Sequence, residues 1–181
     1  MLNGFPLRLI VPGYYGTYWV KHVSDIQVLD TEFDGFWMSK AYRIPDNPCA
    51  CVEPGAARGK TIPINRMNVR SFITNLTDGQ RVPARKETLV RGIAFDGGYG
   101  IADVTLSADG GRTWREGRLG QDLGRYSFRE WTAAFSPRNA GPYELKVRAV
   151  NRIGQSQPMA PLWNPGGYMR NVVETTRVLA V

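Results

Sequence analysis

Thr88-Leu89-Val90-Arg91-Gly92-Ile93-Ala94-Phe95, a Gly-rich break at Gly97-Gly98-Tyr99-Gly100, then Ile101-Ala102-Asp103-Val104-Thr105-Leu106-Ser107 carries the fold. Both runs alternate with period two, the signature of strands with one face on a core. Working outward, Val69 to Thr74 reads as a further strand, and Tyr143 to Val150 alternates again. Arg125 to Phe135 reads as a long aromatic strand, and Asn171 to Val181 as a β-branched one. Six or seven short strands separated by turn signals predict a mainly β chain, an immunoglobulin-like antiparallel sandwich. No cysteine pair stands at a sheet-bridging spacing, so the sandwich is expected to be free of that disulfide.

Composition agrees. In 181 residues there are 20 Gly and 12 Pro, about one residue in six, against a usual combined share of ~12%. The apolar share of 43% supports a buried core. No apolar run reaches the ~18 residues of a membrane span, and no charged-then-apolar leader is visible. One histidine and two cysteines exclude a Cys₄ or multi-His zinc site. The net charge of +7 comes mostly from arginines scattered along the chain. A solvated basic surface is one reading; arginines converging on an anion is the other, because the guanidinium fork matches oxyanions. No recognition helix, helix-turn-helix or RNP-like strand supports nucleic-acid binding.

Before residue 68 the pattern is broken. Phe5 to Gly13 reads as a short buried strand bracketed by prolines, and Asp25 to Leu29 as another. Asp34 to Arg43 fits one or two helical turns. Ile44 to Pro63 reads as a long loop holding both cysteines. Cys49-Ala50-Cys51 is too closely spaced to favour a mutual disulfide in extended chain. Arg8, Lys21, His22, Tyr42 and Arg43 put several anion-capable donors near Gly-rich backbone, a composition suited to an oxyanion or pyrophosphate pocket.

Ser107-Ala108-Asp109-Gly110-Gly111-Arg112-Thr113-Trp114 resembles the Asp-box of sialidase-type propellers. Asp109 is expected to cap turn amides and Trp114 to pin the hairpin to the core. Propellers repeat the box once per blade, and here it occurs once, so a structural hairpin is expected. A sialidase-like or carbohydrate-binding β protein stays as an outside alternative. Gly97 to Gly100 lacks the order of a phosphate loop and reads as a turn.

Gly4 to Gly13, Gly16 and Trp19-Val20-Lys21 resemble the pterin-binding stretch of the sulfite oxidase family of molybdenum enzymes. Gly92 to Phe95, Val104 to Trp114 and Pro161-Leu162-Trp163-Asn164-Pro165 resemble its C-terminal immunoglobulin-like dimerisation domain. Tyr42-Arg43-Ile44-Pro45-Asp46 and the cysteine loop look most like the bacterial sulfite dehydrogenases that reduce cytochrome c. The resemblance implies residues 1–68 as the C-terminal portion of an α+β molybdopterin-binding domain, and 69–181 as the dimerisation domain.

It implies a molybdenum-molybdopterin cofactor, with Arg8 and Lys21 on its pterin or phosphate and Trp19 and Val20 lining it through backbone. Tyr42 takes the place of the active-site tyrosine. Asn3 stands where some relatives have a cofactor-contacting His. Gly166 stands where some relatives have a substrate arginine, and Arg170 follows shortly after. The molybdenum thiolate of such enzymes lies upstream of the matched stretch, and neither Cys49 nor Cys51 falls at its position. The chain alone is therefore expected to bind no metal and to be inactive, or to serve only as an assembly module. Implied partners are a second copy and a c-type cytochrome or haem subunit, with no nucleic acid and no membrane span, in the periplasm.

Overall fold

A computed structural model describes residues 3–181. The chain divides into two compact units, residues 1–67 with 161–170, and residues 68–160 with 171–181.

The larger unit is the β sandwich. Its strands are β3 (Arg70–Ile73), β4 (Gln80–Val82), β5 (Thr88–Phe95), β6 (Ile101–Ser107), β7 (Arg115–Glu116), β8 (Arg118–Leu119), β9 (Arg129–Phe135), β10 (Gly141–Asn151) and β11 (Thr175–Ala180). They form a five-stranded sheet ordered β4-β11-β10-β6-β7 and a four-stranded sheet ordered β3-β5-β9-β8. Every pairing is antiparallel except β11 with β4. The run at 125–135 becomes a strand only from Arg129.

Alternation decides which residues enter the core. Leu145, Val147 and Ala149 of β10 are buried, as are Val104 and Leu106 of β6, while the residues between them face outward. From the other sheet come Val90, Ala94, Trp131, Ala133 and Phe135. Gly92 is paired across the ladder with Trp131. A Cβ there would stand 2.3 Å from both the Phe72 carbonyl oxygen and the Trp131 ring, so only Gly lets the indole lie flat on β5. The indole N–H donates to Ser71 Oγ at 2.9 Å, and that hydroxyl donates to the Ile93 carbonyl at 2.9 Å. The buried polar groups are thus paired rather than stranded.

Both glycine-rich turns are organised by a carboxylate. Asp96 Oδ1 accepts from the amides of Gly98, Tyr99 and Gly100 at 2.9, 3.1 and 3.0 Å. In the second turn Asp109 Oδ1 accepts from the amides of Arg112 and Thr113, both at 2.9 Å. Thr113 Oγ1 donates to Asp109 Oδ2 at 2.6 Å. The Gly111 amide donates to Ser107 Oγ at 2.8 Å, with Gly111 at φ 99°. Thr113's side-chain and backbone hydrogen bonds hold the Asp109 carboxyl far below the usual carboxylate range. Trp114 departs from expectation. Its ring is half-buried and carries the Arg148 guanidinium at 4.8 Å, so it grips the outer face of β10 rather than the core.

The smaller unit is built differently. A 3₁₀ turn spans Gly16–Tyr18 and a π-helical turn Trp37–Ala41. Strands β1 (Arg43–Pro45) and β2 (Thr61–Pro63) pair antiparallel, so the expected long loop is narrowed to the residues between them. Phe5 to Gly13 is not a buried strand. It forms one isolated bridge, Arg8 to Lys21, and leaves Phe5 71% and Leu7 58% exposed. Asp25 to Leu29 forms no strand, and Val28 is 98% exposed. A strand needs an edge to pair with; the first segment pairs only at that bridge, and the second meets no strand among the described residues.

Cys49 and Cys51 do form a disulfide, contrary to the expectation from extended geometry. Ala50 sits at φ 50°, in the left-handed region, which folds the chain back and brings the two Cα atoms to 5.1 Å, within reach of a disulfide. Asn47 holds this reversal. Its Nδ2 donates to the Cys51 carbonyl at 2.8 Å and its Oδ1 accepts from the Cys51 amide at 3.2 Å.

Candidate cofactor-binding site

Arg8, Trp19, Val20 and Lys21 come together around the Arg8–Lys21 bridge. The Leu9 amide donates to the Val20 carbonyl at 2.9 Å and the His22 amide to the Leu7 carbonyl at 3.0 Å. These bonds fix Arg8 opposite Lys21, and residues directly opposite project from the same face. Trp19 is oriented by its own N–H, which donates to the Val11 carbonyl at 3.1 Å. The Arg8 guanidinium then lies over the indole, 5.5 Å from its centroid. Val20 is exposed and acts here through its carbonyl, already used by Leu9.

Gly4, at φ 97°, packs against this pair. A Cβ there would stand 3.1 Å from both Arg8 Cβ and Lys21 Cγ, so a side chain at this position would crowd both cationic stems. Like charges opposite each other across a ladder repel, and an anion lying between them removes that cost. The donors present therefore fit a phosphate-bearing group. Asn3 is exposed beside Gly4.

Tyr42 belongs to a separate aromatic cluster. Its ring stacks on Trp37, with centroids 5.3 Å apart and planes at 22°, and meets Tyr168 edge-on at 5.9 Å. Phe36 adds an edge contact to Trp37 at 5.2 Å. The Tyr42 amide donates to the Trp37 carbonyl at 2.8 Å, closing the π-helical turn, and its carbonyl accepts from Ile64 at 2.9 Å. Arg43 anchors the segment through Nε to Thr61 Oγ1 at 2.8 Å and Nη1 to the Met38 carbonyl at 2.7 Å. Tyr168 is delivered by an Asn164-capped turn: Asn164 Nδ2 donates to the Tyr168 carbonyl at 2.8 Å, and Oδ1 accepts from its amide at 3.0 Å.

Trp37 and Tyr168 are the residues that sequence reasoning missed. Trp37 has a local signal, since it lies five residues before Tyr42, the reach of a π-turn. Tyr168 has none, because its approach depends on 161–170 joining the smaller unit. A further tie is Tyr18, whose hydroxyl donates to the Ile64 carbonyl and whose pKa is raised, first by burial and then by Tyr14. Gly166 lies within this same stretch and Arg170 ends it. Both cysteine sulfurs are held in the disulfide, so neither offers a thiolate to a metal.

Comparison with known proteins places this geometry in context. Residues 61–178, more than half of the chain, match the Mo-co oxidoreductase dimerisation domain, and residues 1–37 match the oxidoreductase molybdopterin binding domain. Mitochondrial sulfite oxidase of Homo sapiens is 31% identical over 180 residues, covering 93% of this chain and 32% of that protein. The NADH nitrate reductase of Spinacia oleracea is 31% identical over 186 residues, covering 93% of this chain and 20% of that protein. The solved sulfane dehydrogenase SoxCD from Paracoccus pantotrophus matches with a TM-score of 0.75 and 25% identity, over 95% of this chain and 43% of that one. The chain thus spans a third or less of the curated relatives named here. No helix among the described residues is long and apolar enough to cross a membrane. With the paired cations in the segment that matches the molybdopterin-binding domain, and the sandwich matching the dimerisation domain, this chain belongs to the sulfite oxidase family of molybdenum-cofactor oxidoreductases.

Proposed function

We propose that this chain is the C-terminal part of an enzyme that oxidises sulfite to sulfate and passes the electrons to a c-type cytochrome. The observation that carries this reading is the Arg8–Lys21 bridge, which sets two cationic residues opposite each other, with the Arg8 guanidinium over Trp19, in the segment matching the molybdopterin-binding domain. Residues 1–68 then contribute to the cofactor domain and 69–181 to a homodimer. Tyr143, near the start of β10, supports an immunoglobulin-like reading of the sandwich. Its hydroxyl donates to the Asn139 carbonyl at 3.1 Å, the tie-back of a tyrosine corner. The Cys49–Cys51 disulfide suits an oxidising compartment such as the periplasm.

When bound, the molybdenum cofactor supplies oxygen-atom transfer and a two-electron change at the metal. This chain's residues bind and orient. Arg8 and Lys21 neutralise the cofactor's phosphate or hydrogen-bond its pterin, and Trp19 holds the guanidinium in place. Tyr42 offers a hydroxyl to an oxyanion substrate. The stack on Trp37 and the edge of Tyr168 limit how its ring can turn, so the hydroxyl keeps its aim. The molybdenum thiolate comes from a part of the enzyme outside these 181 residues.

Two variants of the intact enzyme test the assignment. Arg8→Ala with Lys21→Ala lowers the molybdenum and pterin retained after purification. Tyr42→Phe retains them but slows turnover at least about ten-fold. Unchanged cofactor content in the first, or unchanged steady-state and single-turnover kinetics in the second, removes the corresponding role. The second reading is that the chain is an assembly module without activity of its own. It is favoured by the disulfide that occupies both thiols. Molybdenum and pterin bound to the purified 181-residue chain would exclude it.

A further inference from the structure

We propose that the Cys49–Cys51 disulfide is a thiol-exchange site, opened by a dithiol under native conditions, and that its opening loosens the support of the Tyr42 cluster. Three independent features point to an exchangeable bond. The ring closes over a single residue, so the cross-link withdraws little loop entropy from the open chain and gains little stability from it. Ala50, inside the ring, is held at φ 50°, a left-handed conformation that an L side chain leaves when it is free to do so. Cys49 is exposed, whereas Cys51 is half-buried, so an incoming thiolate has one accessible sulfur to attack.

The exchange balances without any further reagent. A thiolate of the dithiol attacks Cys49 Sγ, forming a mixed disulfide as the Cys49–Cys51 bond breaks. The electron pair leaves on Cys51 Sγ, which takes up a proton. The second thiolate then attacks the dithiol's own sulfur in the mixed disulfide and releases Cys49 as a thiol. Two electrons and two protons have passed from the dithiol, now oxidised, to the protein.

The consequence for the site follows from one chain of contacts inside the smaller unit. Cys51 is followed by Val52, whose amide donates to the Trp163 carbonyl at 2.9 Å. Trp163 precedes Asn164, which caps the turn that delivers Tyr168. Tyr168 meets the Tyr42 ring at 5.9 Å. The oxidised ring thus braces Cys51, next to the residue that pins this turn, and in the open form that bracing falls to Asn47's grip on Cys51 alone.

The test is a dithiothreitol titration of the full 181-residue chain without denaturant, with alkylation of freed thiols and mass spectrometry. The expected result is opening of Cys49–Cys51 while the sandwich stays folded. Because Gly accepts the left-handed conformation, Ala50→Gly needs about five-fold more dithiol for the same opening. Amide hydrogen exchange then reads the coupling. Opening speeds exchange at Val52 at least about ten-fold and leaves Leu145 in the sandwich unchanged. A disulfide that stays closed until the chain is unfolded overturns the proposal, and so does an Ala50→Gly variant that opens at the same dithiol or at less. Unaltered exchange at Val52 in the open form removes the link to Tyr42.

Discussion

Val28 and Leu145 both sit in alternating apolar stretches, yet Val28 is 98% exposed and Leu145 is fully buried. Leu145 lies on a strand flanked on both sides, by β6 and β11, with a second sheet across the core. The Val28 segment finds no strand to pair with among the described residues. The two units consequently rest on different forces. The sandwich is held by burial of side chains such as Trp131, Val104 and Leu145. The smaller unit buries few apolar side chains, Ile44 and Ile64 among them, and leans on its aromatic cluster and on polar ties: Arg43 to Thr61 and Met38, Asn164 to Tyr168, Asn47 to Cys51, and one disulfide. Hydrophobic burial is non-directional and cooperative, whereas such ties are local and fail one at a time.

That difference can be broken at several points. The largest effect is expected from Trp131→Ala, which removes a side chain only 1% exposed and the indole N–H that donates to the Ser71 hydroxyl. It should cost about 3–5 kcal/mol, read from urea unfolding of the sandwich. A loss under 1 kcal/mol would show that the core does not dominate this unit. Next comes Arg43→Ala in the smaller unit, removing guanidinium bonds to Thr61 of β2 and to Met38 of the π-helical turn. It should cost about 2 kcal/mol locally, seen as faster amide exchange at Asp46 and Ile64 with the sandwich amides unaltered. Loss of protection in both units together would mean that they unfold as one.

The smallest effect concerns the Asp109 turn. Its carboxyl is held below the usual aspartate pKa of 3.8, first by the Thr113 hydroxyl, then by the Thr113 amide and Ser107. A depressed folded pKa means that the stabilisation is complete above 3.8 and is lost as pH falls below it. The melting temperature should therefore decline by a few degrees below that pH, and Asp109→Asn should flatten the decline. An identical acid profile in the variant would assign the loss to other carboxylates.

Strands β5 and β6 were legible residue for residue, because each buries one face against a continuous core and period-two alternation records that face. Both turns were legible as turns, and Asp109 as the cap of its own, since it acts on amides within a few residues; the same role of Asp96 was not read. Strand β4 was not, because three residues pairing parallel with distant β11 leave no local pattern. At the candidate site, Arg8 and Lys21 could be named from resemblance, but their placement opposite each other depends on the Leu9–Val20 and His22–Leu7 bonds.

By itself, the sequence determined where backbone and side chains answer to near neighbours: alternating strands, carboxylate-capped glycine turns, and the residue types able to meet an anion. Tertiary structure alone decided the disulfide, through the left-handed turn at Ala50 and its Asn47 clamp. It also decided the partners of Tyr42, through the recruitment of 161–170 into the smaller unit. The physical reason is range. Periodicity and turn chemistry act over a few residues, whereas the meeting of Tyr42 with Tyr168 depends on how distant segments pack, which no local pattern encodes.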